Sequence, residues 1–264
     1  MSTYVMSDIH GCYDEFIEML KKIEFSNKDK LIIAGDYMDR GTQSYEMLKW
    51  IENKPNNVIL LKGNHDEEFA YCIDLMKMLF DKKGISLDNL VATKLIYELI
   101  KGMSIDGDES MAIFDYYGTI QSLIYDNSVT MEQLIKWSNC IREMPLVYRD
   151  IVNERNIIVV HAGYIETLEG VETDDTYESL ESFYMYARDD AYVHGGYEHA
   201  MIIAGHTPTL FEDELPYNEG NVYRSYDEQL DCIFYNVDCG CAYKNNSKMA
   251  SLACICIENE EIVY

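Results

Sequence analysis

Five times along this chain a short apolar run gives way at once to a turn built from glycine and a residue that can hold a metal ion or a proton. Residues 3–7 lead into Asp8-Ile9-His10-Gly11, and residues 31–34 into Gly35-Asp36-Tyr37-Met38-Asp39-Arg40-Gly41. Residues 58–61 lead, past Lys62, into Gly63-Asn64-His65-Asp66; residues 157–160 into His161-Ala162-Gly163; residues 201–204 into Gly205-His206-Thr207-Pro208. Apolar runs this short, cut off by polar turns, suit buried strands. Amphipathic stretches, among them residues 13–22 and 43–53, lie between them and read as crossover helices. The alternation predicts an α/β chain. In such folds, ligands bind beyond the carboxyl ends of the strands. Residues far apart in sequence, from Asp8 to His206, can therefore meet at one site.

The residue types give that site a chemistry. Four of the six histidines, His10, His65, His161 and His206, stand in these turns. Asp and His donors with one amide oxygen suit Mn, Fe or Zn. A shared carboxylate can bridge two ions, and a pair of ions roughly 3.5–4 Å apart can generate a hydroxide and clamp both ends of an in-line displacement.

The rest of the chain bounds the reading. It has 264 residues, 48% of them hydrophobic, enough for one large core without disulfide staples. One domain, residues 1–264, is expected. The net charge of −26 opposes binding to a nucleic-acid polymer but leaves a small phosphate ligand open. No apolar run approaches the ~18–20 residues of a membrane helix, so no membrane partner is expected. No signal-peptide pattern opens the sequence, and the eight cysteines read as reduced thiols of a cytoplasmic protein. Helical periodicity at residues 66–80, 87–100, 111–125 and 131–144 predicts a helical insertion at about 67–145, stopped by Pro145. Residues 146–148 and 157–160 read as a hairpin around 153–156, and the C-terminal third as strand-rich, at 233–237 and 250–257.

Taken together and in order, Asp8-x-His10-Gly11, Gly35-Asp36-x-x-Asp39-Arg40-Gly41, Gly63-Asn64-His65-Asp66, His161-Ala162-Gly163 and Gly205-His206 resemble the signature of calcineurin-like metallophosphoesterases. The similarity is greatest to the phosphoprotein phosphatase branch and its short bacterial members, which include serine/threonine protein phosphatases and symmetrical diadenosine tetraphosphate hydrolases. The resemblance implies a β-sandwich of two mixed sheets flanked by helices, in four layers. It implies two divalent metal ions, with Mn preferred over Fe or Zn. Asp8 and His10 would hold the first ion, Asp36 would bridge, and Asn64, His161 and His206 would hold the second. A bridging hydroxide would attack phosphorus directly, His65 would protonate the leaving group with Asp39 orienting its ring, and Arg40 and Arg188 would bind phosphate oxygens. Three positions depart from the family's pattern: Tyr186 replaces a tryptophan, Lys62 an arginine and Asp66 a glutamate.

The reaction this implies is hydrolysis of phosphoserine or phosphothreonine on proteins. The alternatives are a diadenosine polyphosphate hydrolase with the same site and a non-catalytic, metal-stabilised binding protein. Partners are accordingly a phosphorylated protein or a small phosphoester. No cysteine is followed six positions later by arginine and no Walker-type loop occurs, which disfavours thiol-phosphatase and P-loop chemistry. Cys239-x-Cys241 and Cys254-x-Cys256 read as buried strand pairs, since residues i and i+2 share a face. Cys12 reads as the start of the first helix. His194 and His199 read as solvent-facing, and the acidic run from Glu166 to Glu181 as a solvated face.

Overall fold

The computed structural model describes residues 1–103, 117–172, 177–193 and 196–264. Three parallel strands, β1 (Thr3–Met6), β2 (Lys30–Ile33) and β3 (Val58–Leu60), form one side of the five-stranded first sheet. Helices α1 (Tyr13–Lys22) and α2 (Ser44–Glu52) make the crossovers. Two late strands, β9 (Cys254–Cys256) and β10 (Ile262–Val263), complete the order β10-β9-β1-β2-β3, with β9 antiparallel to β1. The second sheet has the order β4-β5-β6-β8-β7, from β4 (Val147–Val152), β5 (Arg155–Val160), β6 (Ala200–Ala204), β7 (Tyr223–Asp227) and β8 (Cys232–Asn236). Its inner strands β5, β6 and β8 are parallel and its two edge pairs antiparallel. Both sheets are therefore mixed.

Side-chain alternation sets the layers. Strand residues point to opposite faces in turn, so Val5 and Ile32 enter a core shared with Ile157, Val159, Met201 and Ile203 of the second sheet. Their neighbours Met6, Leu31 and Ile33 face the helices, packing with Phe16, Met47 and Phe69. On the far side, Ile158, Ile202 and Phe234 lie beneath Tyr184 and Tyr192 of the short helices α7 (Leu180–Tyr186) and α8 (Asp189–Val193). The result is helices, sheet, sheet, helices, the four-layer arrangement expected.

The helical insertion is also present. It comprises α3 (Asn64–Lys83), α4 (Leu90–Met103), α5 (Tyr117–Gln121) with a π-helical turn at Ser122–Asp126, and α6 (Met131–Arg142). Of the predicted helix at 111–125, residues 111–116 lie outside the described residues. Lys136 of α6 and Lys49 of α2 both pair with Glu52, bracing the insertion against α2.

Two local readings are corrected. The β4–β5 hairpin turns on two residues, with strand pairs reaching Val152–Arg155. Asn153 (φ +50°) and Glu154 (φ +67°) make the tight turn, so both strands are longer than their apolar runs suggested. Cys239 and Cys241 are buried but lie after β8, with Cys241 opening a 3-10 turn, so they are not a pair on one strand face. Cys254 and Cys256 do share β9 and are buried, and Cys12 caps the start of α1.

Candidate metal centre

All five polar turns converge at the carboxyl ends of β1, β2, β3, β5 and β6. The backbone there is unusual. Asp8 (φ +53°), His10 (+47°), Asp36 (+58°), Asp39 (+72°), Arg40 (+65°) and His206 (+72°) all adopt left-handed conformations. Such conformations are costly away from glycine and persist only when their surroundings enforce them. Here the first two loops are laced together: His10 N–H donates to Asp36 O at 2.9 Å, Gly11 N–H to Tyr37 O at 2.8 Å, and Gly41 N–H to His10 O at 2.9 Å. Asp66, fully buried at the start of α3, accepts N–H bonds from Asp36, Tyr37 and Gly63 at 2.8–3.1 Å. It ties the second polar loop to the third. The glycines serve close approach: a Cβ on Gly63 would collide with Asp36 Oδ1, and one on Gly205 with Asp8 Oδ2.

Asp36 stands at the middle. Its Oδ2 lies 3.5 Å from His10 Nε2 and 3.6 Å from His161 Nε2, while Oδ1 accepts the His65 N–H at 3.0 Å. Around it, ligand atoms of His10 and His65 form one metal-capable group and those of His161 and His206 a second, each within 4.8 Å. Asp8 Oδ1 lies 3.9 Å from His10 Nε2 and is buried without a hydrogen-bond partner among the described residues; so is His206 Nε2.

Donors and acceptors in this cluster fit a cation better than each other. His161 commits its Nδ1 proton to Ala34 O at 2.7 Å, so Nε2 presents a lone pair. That lone pair faces Asn64 Oδ1, also an acceptor, at 2.9 Å, and His206 Nδ1 lies 3.0 Å from the same oxygen. His10 likewise commits Nδ1 to Met38 O at 3.0 Å and turns the Nε2 lone pair inward. Burial first, then the charges of Arg40 and His65, holds the His10 pKa far below its ordinary value; burial, His161 and Arg188 do the same for His206. Neutral imidazole is the ligating form. Burial raises the Asp36 pKa well above the usual carboxylate range, with Asp8 and Asp66 adding to it against His65 and Arg40. A bound dication would reverse that shift. The residues present therefore fit divalent metal.

Beside these groups lies an acid and an anion clamp. His65 Nδ1 is 3.0 Å from Asp39 Oδ2, and Thr119 of α5 donates to Asp39 Oδ1 at 3.2 Å. Burial opposes a charge on His65, but Asp36 and Asp39 outweigh it and raise its pKa. Arg40 reaches across with Nη1 3.1 Å from His10 Nε2 and Nη2 2.9 Å from His65 Nε2. Arg188 is half exposed on the opposite rim, with Nη1 4.0 Å from Glu214. Tyr186, at the tryptophan position, donates to Glu68 at 3.4 Å, and burial followed by Glu68 and Glu67 raises its pKa. His199 lies away from the site, bound at 2.6 Å to Asp231; His194 is outside the described residues.

Several residues of the site carry no mark in the sequence reading. Thr119 belongs to the insertion. Asn236, the last residue of β8, donates to Gly205 O and Thr207 O at 3.0 Å, fixing the turn that carries His206. Asp238, two residues on, is buried at 3% exposure. A signal existed in Asn236-Val237-Asp238-Cys239-Gly240, a sixth apolar run ending in a polar, glycine-containing turn.

Two stacked mixed sheets with polar loops converging at their strand ends are the metallophosphoesterase fold. The model of the calcineurin-like phosphoesterase family matches residues 1–239, and the chain belongs to that family. Among curated relatives, a symmetrical bis(5'-nucleosyl)-tetraphosphatase of Buchnera aphidicola subsp. Baizongia pistaciae is 37% identical over 101 residues, 38% of this chain and 36% of that protein. The Escherichia coli (strain K12 / DH10B) protein of the same name is 45% identical over 67 residues, 25% of this chain and 24% of its own length. The chain thus matches roughly a third or less of these relatives' length. The solved structure of a presumed diadenosine tetraphosphatase aligns with a TM-score of 0.54 at 15% identity, covering 99% of this chain and 91% of that one. A protein serine/threonine phosphatase from Saccharomyces cerevisiae aligns with a TM-score of 0.51 at 14% identity, covering 98% and 73%. At these identities the likeness is one of fold.

Proposed function

We propose that this chain is a metal-dependent phosphatase whose substrates are phosphoserine and phosphothreonine esters on proteins. The observation that carries the reading is Asp36 Oδ2, nearly equidistant from His10 and His161 and flanked by two clusters of inward lone pairs. Asp8, His10, Asp36, Asn64, His161 and His206 would hold two divalent ions, Mn being the preferred pair. When bound, such ions supply Lewis-acid charge and activate water for attack on phosphorus. The chain's own residues do the rest. Arg40, with Arg188 across the rim, orients phosphate oxygens through paired N–H donors. His65, its pKa raised by Asp36 and Asp39, would deliver a proton to the leaving alkoxide. Asp39 holds the ring by Nδ1, leaving Nε2 beside the Arg40 guanidinium that would bind phosphate.

Acidic side chains bear on which leaving group the site would accept. Glu68 lies against Tyr186 and Glu214 against Arg188, and Glu166, Glu169, Glu172, Glu178 and Glu181 are exposed. Asp174 and Asp175 of that acidic run lie outside the described residues. Carboxylates there favour a cationic peptide over a polyphosphate. The second reading, a dinucleoside polyphosphate, is favoured by the names of the curated relatives.

One comparison tests both. Metal-stripped protein reloaded with Mn²⁺ is given a phosphothreonine peptide and diadenosine tetraphosphate in parallel, with Asp36→Asn as the blank. Peptide hydrolysis, lost by at least ~100-fold in Asp36→Asn, is the expected result. Preference for the dinucleotide would move the assignment to the second reading. Wild-type activity in Asp36→Asn at matched metal would refute the bridging role.

A further inference from the structure

Arg40 occupies a position it cannot keep if His10 ligates a metal ion. The guanidinium donates to His10 Nε2, and that nitrogen has one lone pair because its partner nitrogen is committed to Met38 O. The same lone pair is the one a metal ion would use. Arg40 therefore needs a second seat, and the segment after β8 supplies one. Asp238 Oδ1 accepts the Gly240 N–H at 2.9 Å, whereas Oδ2 is buried with no hydrogen-bond partner among the described residues. Asn236 Oδ1 fixes the Asp238 backbone N–H at 2.8 Å. From the same segment the Tyr243 ring lies 5.9 Å from the Arg40 Cζ. Burial works against the Arg40 charge, and Tyr243, Asp36, Asp238 and Asp8 together sustain it. Asp238 is thus within electrostatic range of the guanidinium without being paired to it.

We propose that Asp238 is a positioning residue whose free carboxylate oxygen, with the Tyr243 ring, seats the Arg40 guanidinium once His10 engages metal; this rests on the ligand role given to His10 above. Seated there, Arg40 leaves the metal cluster and presents its remaining N–H groups to phosphate. Asp238 acts through Arg40 and touches neither ion nor substrate.

The test is a double-mutant cycle on the full chain, read by calorimetric Mn²⁺ binding to metal-stripped protein and by inhibition with inorganic phosphate. Asp238→Asn keeps the Oδ1 acceptor for Gly240 and alters only Oδ2. It is expected to weaken Mn²⁺ binding and phosphate inhibition by about tenfold each, and to change neither by more than about twofold in an Arg40→Ala background. Tyr243→Ala is a second variant, expected to show the same dependence on Arg40 and to keep the inference testable if Asp238→Asn misfolds. Unchanged binding in both variants would overturn the inference and leave the metal-site reading intact. Equal loss of Mn²⁺ binding with and without Arg40 would overturn it too, by making Asp238 act on the ion directly. Wild-type protein that binds no Mn²⁺ would overturn the ligand reading, and the inference with it.

Discussion

Asp66 shows how much one carboxylate can organise. It fills the third position of α3 and takes N–H bonds from Gly63, Asp36 and Tyr37. Two of these donors lie about 30 positions earlier, on the loop that carries the central aspartate. Removing the carboxylate would strand three buried N–H groups, each costing about 1–3 kcal/mol. Asp66→Ala is therefore expected to lose at least ~3 kcal/mol of stability in denaturant unfolding, with Asp66→Asn losing less. A loss within ~0.5 kcal/mol would mean that the loops hold without it. At this scale the sequence was legible where a residue announces itself by place. Asp8, Asp36, Asn64, His161 and His206 each follow an apolar run closely. Asp66 was legible only as a departure from the family's glutamate, because its task depends on backbone groups that no spacing rule brings near. Asp238 went unread because the cysteines around it drew the reading toward strand faces.

Among elements, the insertion meets the site at two places. It descends from α3, whose first residues are Asn64 and His65, and it returns to the site through Thr119 of α5. The Thr119 hydroxyl bonds Asp39, which in turn bonds His65. Thr119→Val keeps the shape and removes that donor. It is expected to lower kcat by about threefold to tenfold, within the ~0.5–1.5 kcal/mol net worth of one hydrogen bond, with KM little changed. An unaltered kcat would separate the insertion from the chemistry. The helices themselves were readable from periodicity, and apart from the start of the one expected at 111–125, which lies outside the described residues, their ends fell within a few residues of those expected. Their reach into the site was not, because periodicity gives a helix face and says nothing of what the face meets. The β4–β5 turn was misjudged for a related reason: Asn153 and Glu154 both adopt positive φ without a glycine to mark it.

For the molecule as a whole, charge and metal are coupled. The chain carries −26, and the site gathers Asp8, Asp36, Asp39, Asp66 and Asp238 within buried surroundings. Divalent ions at that point would relieve repulsion and, by binding only the folded form, raise its stability by about 2.7 kcal/mol at a hundredfold excess over Kd. Mn²⁺ is expected to raise the Tm of metal-stripped protein by several degrees, an effect that chelator reverses and Asp36→Asn greatly reduces. A Tm indifferent to Mn²⁺ would count against a structural metal centre. The four-layer plan was foreseeable through the family resemblance, since five buried runs with polar ends by themselves indicate only an α/β chain. The pairing of β9 with β1 was not, since nothing in either run specifies a partner 250 positions away.

That pairing has a bearing on how the chain is made. Tyr4 stands opposite Cys256 and Val5 opposite Ile255, so β9 sits inside the first sheet, between β10 and β1. A ribosome delivers β1, β2 and β3 early, together with four of the six candidate ligands, but the flank of β1 stays bare until Cys254–Cys256 has been made. Contacts this distant in sequence form slowly, and an uncovered strand edge invites association with other chains. The nascent chain thus carries an unpaired β1 flank throughout the synthesis of everything that lies between β1 and β9, and the first sheet closes only after β9 has emerged.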